Sequence, residues 1–262
     1  MASRFRVETI SIAPVKGLAL SHPEQVLLEP FGVRENRRFH LVDAGGLLVN
    51  GKRLCTLVQV ASEYDDVAGT LALRFPGGET VAGEVVLEGA IETSFFGRPV
   101  AGRLVGGDFA EALSGFAGEP LRLVRSDAPG DANDRGPSAG ASLVSTGSLA
   151  ALARAAGTDR PVDQRRFRML LCVSGCEPHE EDGWLARDVR VGEALVVPLG
   201  NVGRCAVTTH DPATGVRDLD TLAALKAYRG AIPTTERLPF GVWAEVIEPG
   251  IVRRGDTVSV EP

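Results

Sequence analysis

The chain of 262 residues has no apolar run approaching the length needed to cross a bilayer, which excludes a transmembrane helix. Its opening residues, Met-Ala-Ser-Arg-Phe-Arg-Val-Glu, have no apolar signal core, so a cytoplasmic chain is expected, with no membrane partner. Basic residues are not in excess: the net charge is -6. Short arginine pairs at Arg37-Arg38 and Arg165-Arg166 are the nearest thing to a basic patch, which argues against a nucleic-acid partner and suits a small anionic ligand. Cysteine is scarce, at four residues (Cys55, Cys172, Cys176, Cys205) with uneven spacing, as expected of reduced thiols rather than a disulfide framework. No four of them cluster as an iron–sulfur centre requires, and Cys172-Val-Ser-Gly-Cys176 lacks histidines at zinc-finger spacing. Any redox chemistry therefore draws its electrons from elsewhere.

What is present is mostly β pattern. Residues 5–13 alternate and are rich in β-branched side chains, ending at Pro14, and short strands follow at residues 24–28, 38–43, 47–50, 57–64, 71–75, 84–92 and 99–104. That spacing predicts an all-β barrel or sandwich for the first hundred residues. Helical pattern begins at residues 108–116 with Asp108 as cap, and recurs at 145–157 and 220–228. Residues 127–140, dense in Asp, Gly, Pro, Ser and Asn, read as a loop that is mobile or a lid. Two related phrases, residues 189–197 and 252–260, each read as a β-hairpin. The fold class expected is mainly β with a few helices, in two β-barrel parts divided at 1–105 and 106–262.

Several residues carry chemistry in this pattern, each with a plainer alternative. Cys205 follows an apolar run and falls in the middle of residues 202–208, read as a strand, so it is either a buried small hydrophobe or a reactive thiol influenced by Arg204. Lys16, just past a strand end beside Gly17, either is solvated or meets a phosphate. Ser145, Thr146 and Ser148 open the clearest helix, as simple caps or as an anion site made by free N–H groups. Arg168, read as part of a strand over 165–173 and set between Phe167 and Met169, should face a polar cavity or a partner.

These phrases together resemble the MOSC family with its N-terminal β-barrel companion. Ile12-Ala-Pro-Val-Lys16 is similar to the family's Tyr-Pro-Val-Lys, and Gly32-Val-Arg-Glu-Asn-Arg-Arg-Phe39 to its Gly-Leu-x-x-Asp-Arg-x-Phe. Phe167-Arg168, Gly175-Cys176 and Glu181-Asp182-Gly-Trp184 follow the family series. Arg204-Cys205 through Thr208-Thr209, Asp211-Pro212 and Thr214-Gly215 is similar to the signature of the amidoxime-reducing branch. The resemblance implies a molybdenum cofactor (Mo-molybdopterin) with Cys205 as catalytic residue and metal ligand, and Lys16, Arg38, Ser145, Thr146, Ser148, Arg168 and Arg204 holding the cofactor. It also implies reduction of N-hydroxylated small molecules, with electrons from a separate donor protein of ferredoxin or flavin/haem reductase type. The chain stops at Pro262 without the iron–sulfur extension of some relatives. Gly17 replaces the family's Ser, Met169-Leu170 its Pro-Asn, and His40 an aromatic residue. Set beside this are a cofactor-free enzyme that uses Cys205 for sulfur transfer or carbon–sulfur cleavage, and a pterin carrier that never turns over.

Overall fold

A computed structural model describes residues 3–261. Seven strands close into a barrel in the order Phe5–Ile10, Leu171–Ser174, Ala141–Ser145, Pro239–Glu248, Ala194–Gly203, Val189–Val191 and Thr257–Val260. Valine and leucine alternate inward along these strands, so Val7, Leu143, Leu171, Val189, Val196, Val242 and Val258 fill one interior. Only Ala141–Ser145 and Leu171–Ser174 pair in parallel, and parallel neighbours need a long crossover. That crossover carries α2 (Thr146–Ala155). A third helix, α3 (Thr221–Arg229), is capped by the Asp220 side chain, which accepts from Ala223 N at 3.0 Å.

The other unit combines a five-stranded sheet (Leu48–Val49, Phe39–Asp43, Leu121–Ser126, Arg98–Val105, Leu87–Phe95) with a three-stranded one (Ala61–Asp65, Thr70–Arg74, Thr80–Glu84). The first helix, α1 (Phe109–Ala117), covers their common core, in which Phe109 and Leu113 meet Phe39, Leu41, Leu73 and Leu123. The mainly β, two-part architecture expected from the sequence is present. No helix among the described residues is long and apolar enough to cross a membrane.

Four details differ from expectation. The division at residue 105 is displaced: α1 and Leu121–Ser126 pack with the first unit, while Phe5–Ile10 and Gln25–Leu28 belong with the second. Hydrophobic periodicity reports which face of an element is buried but not against which core. The phrase at 252–260 is not a hairpin, because Gly250–Arg253 pairs with Gln25–Leu28 and Thr257–Val260 pairs with Val189–Val191 and Phe5–Ile10. The strand expected over 165–173 is shortened to Leu171–Ser174, since Asp163 caps a 3₁₀ turn at Gln164–Phe167 instead. Asp108 precedes α1, but its side chain makes no capping bond.

Candidate functional site

Phe167 and Arg168 form the corner around which charge collects. The 3₁₀ turn ends because Arg168 adopts φ 52°, in the left-handed region that side chains with a Cβ rarely occupy. Arg37 does the same at φ 54°. The two are tied together: Arg37 Nη2 donates to Arg168 O at 3.2 Å, and Arg168 Nη2 donates to Leu18 O at 2.7 Å. Arg204 reaches the same corner from the barrel side, donating to Phe167 O at 3.0 Å and to Phe240 O at 2.9 Å, with its guanidinium 5.2 Å from the Phe167 ring centre. Strained backbone conformations gather where surrounding structure holds functional groups in place.

Lys16 completes the group from the first unit. Its Nζ donates to Ala132 O at 3.1 Å and to Asp134 at 2.5 Å. Burial, followed by Arg37 and Arg168, lowers Lys16 to about 8 against the pull of Asp134. Burial would raise Asp134, but Lys16, Arg37 and Arg168 together hold it down at about 2. Protein surrounds this carboxylate, yet its side chain stays 52% exposed, so it lines a cleft rather than a core. Burial first, then Arg37, brings Arg168 to about 10; burial, then Arg135 and Arg37, brings Arg204 to about 9, with Cys205 opposing. Arg135 is paired with Glu236 at 2.5 Å. Lys16, Arg37 and Arg168 therefore share one carboxylate, Asp134, with Arg204 close to Arg37, and every cation that loses proton affinity there does so partly because another cation is near. Such a cleft attracts anions.

Cys205 sits at its edge. The expected mid-strand position is corrected: the strand ends at Gly203, and Cys205 precedes the 3₁₀ turn Ala206–Thr209 in extended conformation, half-buried. Anchors on both sides fix its backbone. Arg204 is held as described, and Thr208 donates to Cys205 O through both N, at 3.1 Å, and Oγ1, at 3.0 Å. The Cys205 side chain makes no capping bond to the turn. Burial pushes the Cys172 and Cys176 thiols up to about 12 and raises Cys55.

Of the residues expected to hold an anion, Lys16, Arg168 and Arg204 converge here, whereas Arg38 does not. Its guanidinium donates to Ser126 O, and its charged neighbours are Arg125, Asp66 and Arg34. The left-handed turn at Arg37 is the cause: it sends Arg37 into the cleft and Arg38 beneath the sheet. Ser145 and Ser148 also lie apart from the cleft, fully buried around an internal carboxylate. Glu181 accepts from Ser145 N at 3.2 Å, Ser145 Oγ at 2.7 Å and Ser148 Oγ at 2.6 Å. The α2 terminus is thus already neutralised, and burial raises the Glu181 pKa against those hydrogen bonds. Thr146 is half-buried at the same end of the helix. Arg37 was read only as part of an arginine pair suited to an anion, while Asp134 and Arg135 were not anticipated from sequence. Residues 127–140 hid the last two, since a polar loop does not reveal which of its carboxylates faces inward. That loop is neither free nor wholly exposed: Ala132 is fully buried, and Arg98 Nη2 donates to Asp131 O at 2.5 Å and Asn133 O at 2.9 Å.

Residues 4–120 match the MOSC N-terminal beta barrel domain, and residues 131–259 match the MOSC domain. The chain belongs to the MOSC family. It is 26% identical to mitochondrial amidoxime-reducing component 1 of Xenopus laevis, over 96% of this chain and 81% of that protein. It is 29% identical to mitochondrial amidoxime reducing component 2 of Bos taurus, over 94% and 80%. A shorter match, to component 2 of Rattus norvegicus, reaches 38% identity over 38% of this chain and 30% of that protein. For a MOSC protein two substitutions now have physical reasons. Gly17 stands at φ 93°, where a serine would be strained. Met169 and Leu170 are buried, Met169 beneath Arg204, whose Nη2 lies 2.9 Å from its Sδ.

Proposed function

We propose that the cleft binds the molybdenum cofactor through its phosphate and that the protein reduces N-hydroxylated small molecules. The observation that carries this reading is the meeting of Lys16, Arg37, Arg168 and Arg204, from both units, beside a partly exposed thiol. Lys16, Arg37 and Arg168 would hold the phosphate, and Cys205 would give a thiolate to the metal, a soft donor suited to a dithiolene-bound metal. Among the described residues no three His, Cys, Asp or Glu side chains gather to hold a metal, so the remaining donors would belong to the cofactor. When bound, the cofactor supplies the two-electron couple that breaks the N–O bond.

The chain's own residues position and neutralise. Arg204 fixes the Cys205 backbone, and the cations offset phosphate charge in a partly enclosed cleft, where electrostatic contacts are stronger than in open water. In the net reaction the substrate takes up two electrons and two protons, and its oxygen leaves as water. The electrons come from a separate donor protein of ferredoxin or flavin/haem reductase type. A second reading, a cofactor-free sulfur-transfer or carbon–sulfur-cleaving enzyme using Cys205, draws on the loss of polar groups at Gly17 and Leu170. Molybdenum and pterin content, measured on protein from a host that makes the cofactor, separates the two. Stoichiometric molybdenum in the wild type, lost in Cys205→Ser together with amidoxime reduction, is the expected result. Metal-free protein that is active, or a fully active Cys205→Ser, overturns it.

A further inference from the structure

Beside Cys205 lies a carboxylate that the cation cleft does not use. Glu236 sits in the segment that leads from α3 back to the barrel, and the carbonyl of the next residue, Arg237, accepts from Arg204 N at 3.2 Å. A Cβ on Gly203 would lie 2.5 Å from Glu236 Oε2, so the missing side chain leaves room for this carboxylate. Gly203 ends its strand, and Cys205 is extended at φ -131° and ψ 178°. Residues two apart in an extended chain project to one side and stand about 7 Å apart, which brings Glu236 to the Cys205 side. Arg204, between them, turns instead to Phe167, Met169 and Phe240. The carboxylate already has an occupant. Arg135 Nη2 donates to Glu236 Oε1 at 2.5 Å, with its guanidinium 5.4 Å from the Trp243 ring centre, and the side chains of Arg135 and Glu236 remain 33% and 31% exposed.

We propose that Glu236 and the Trp243 ring seat the amidine end of the substrate, and that Arg135 holds that seat until a ligand displaces it. The proposal rests on the reductase reading above. Reduction of R–C(NH2)=NOH by two electrons from the donor protein and two protons breaks the N–O bond, forms an N–H bond and releases water, leaving R–C(NH2)=NH. That amidine is a strong base and takes one more proton from solvent, which gives a planar cation with N–H groups side by side. A carboxylate accepts such a fork through charge-assisted hydrogen bonds, and an aromatic face attracts the cation. The Arg135 guanidinium has the same planar, forked, cationic form and meets the same two groups, so it shows which ligand they suit. Glu236 thereby favours substrates whose product is a cation over those whose product is neutral.

Calorimetry of benzamidine on the cofactor-loaded protein reads the seat directly. Its use is read by kcat/KM for benzamidoxime against benzhydroxamic acid, whose product, benzamide, is neutral. Glu236→Gln keeps the shape and should weaken benzamidine about tenfold, the scale of one hydrogen bond to a charged group. Arg135→Met removes the occupant and should tighten benzamidine several-fold. An ion pair that served only to hold two loops together would move both variants in one direction. Glu236→Gln should also lower the ratio of benzamidoxime to benzhydroxamic acid about tenfold. Variants that shift benzamidine affinity in the same direction, or not at all, overturn the proposal, as does an unchanged ratio in Glu236→Gln. Should the loaded wild type reduce neither compound, the reductase reading has failed, and the calorimetry alone then decides about the seat.

Discussion

Arg37 and Arg38 are adjacent in the chain and serve different ends. Arg37 bonds across to the Arg168 carbonyl in the cleft, while Arg38 is 7% exposed and bonds to Ser126 O. Arg37→Ala should weaken sulfate binding about tenfold, the scale of one charge-assisted hydrogen bond, and leave the urea midpoint near that of the wild type. Arg38→Ala should do the reverse, with affinity kept and stability lowered by about 1–3 kcal/mol. Equal effects on affinity would show that both reach the ligand. Lys16 makes the same cleft dependent on pH. Because its ammonium titrates at about 8 when folded, sulfate, whose charge is constant in this range, should bind progressively more weakly as pH rises above 8. Calorimetry on Lys16→Met should find the inflection gone. The stability effect runs oppositely: with the folded pKa below the ordinary 10.5, the unfolded chain holds more protons between the two values, so folding gains stability as pH rises across that window.

At the scale of elements, the α2 terminus shows how a local rule can hold while its use changes. Ser145 does cap, accepting from Ser148 N at 3.1 Å, as the pattern of hydroxyls before an Ala-Leu helix predicts. Which anion meets the helix end was not legible, because Glu181 lies 36 positions away within an acidic run that reads as solvated turn. Glu181→Ala should leave two buried hydroxyls and Ser145 N without their acceptor, at a cost of about 2–4 kcal/mol. Urea denaturation measures this, and the Cys205 alkylation rate of the folded protein should not change. A variant as stable as the wild type would mean that water takes the carboxylate's place. The signature stretch was legible in its turn, where Asp211 Oδ1 accepts from Ala213 N at 2.9 Å and Thr214 N at 2.8 Å. It was misread just before, at Cys205. Alternation alone cannot report that Arg204 breaks the strand to bond across to Phe240 and Phe167.

For the whole molecule, strand existence followed from period-two pattern, but partnership did not, since partnership is set by long-range burial. Phe5–Ile10 closes the second barrel between Leu171–Ser174 and Thr257–Val260, and its Val7 and Ile10 are 1% exposed. A chain truncated to residues 131–262 should therefore not fold alone, since it leaves two strand edges and the barrel interior open to water. Circular dichroism should show no cooperative urea transition, and a peptide of residues 3–28 added in trans should restore one. Cooperative unfolding of the truncated chain by itself would disprove this dependence.

That closing strand also sets a schedule. Ser3 Oγ donates to Val258 O across 255 positions of chain, and a ribosome adding about 5–20 residues per second takes roughly 13–50 s to cover that separation. A segment made early is thus among the last to find its place. In the meantime the sheets of residues 39–126 are able to assemble, presenting Lys16 and Arg37 before Arg168, Arg204 and Cys205 have been made. The cleft is finished only once Thr257–Val260 has been made, so whatever fills it arrives after that strand rather than before it.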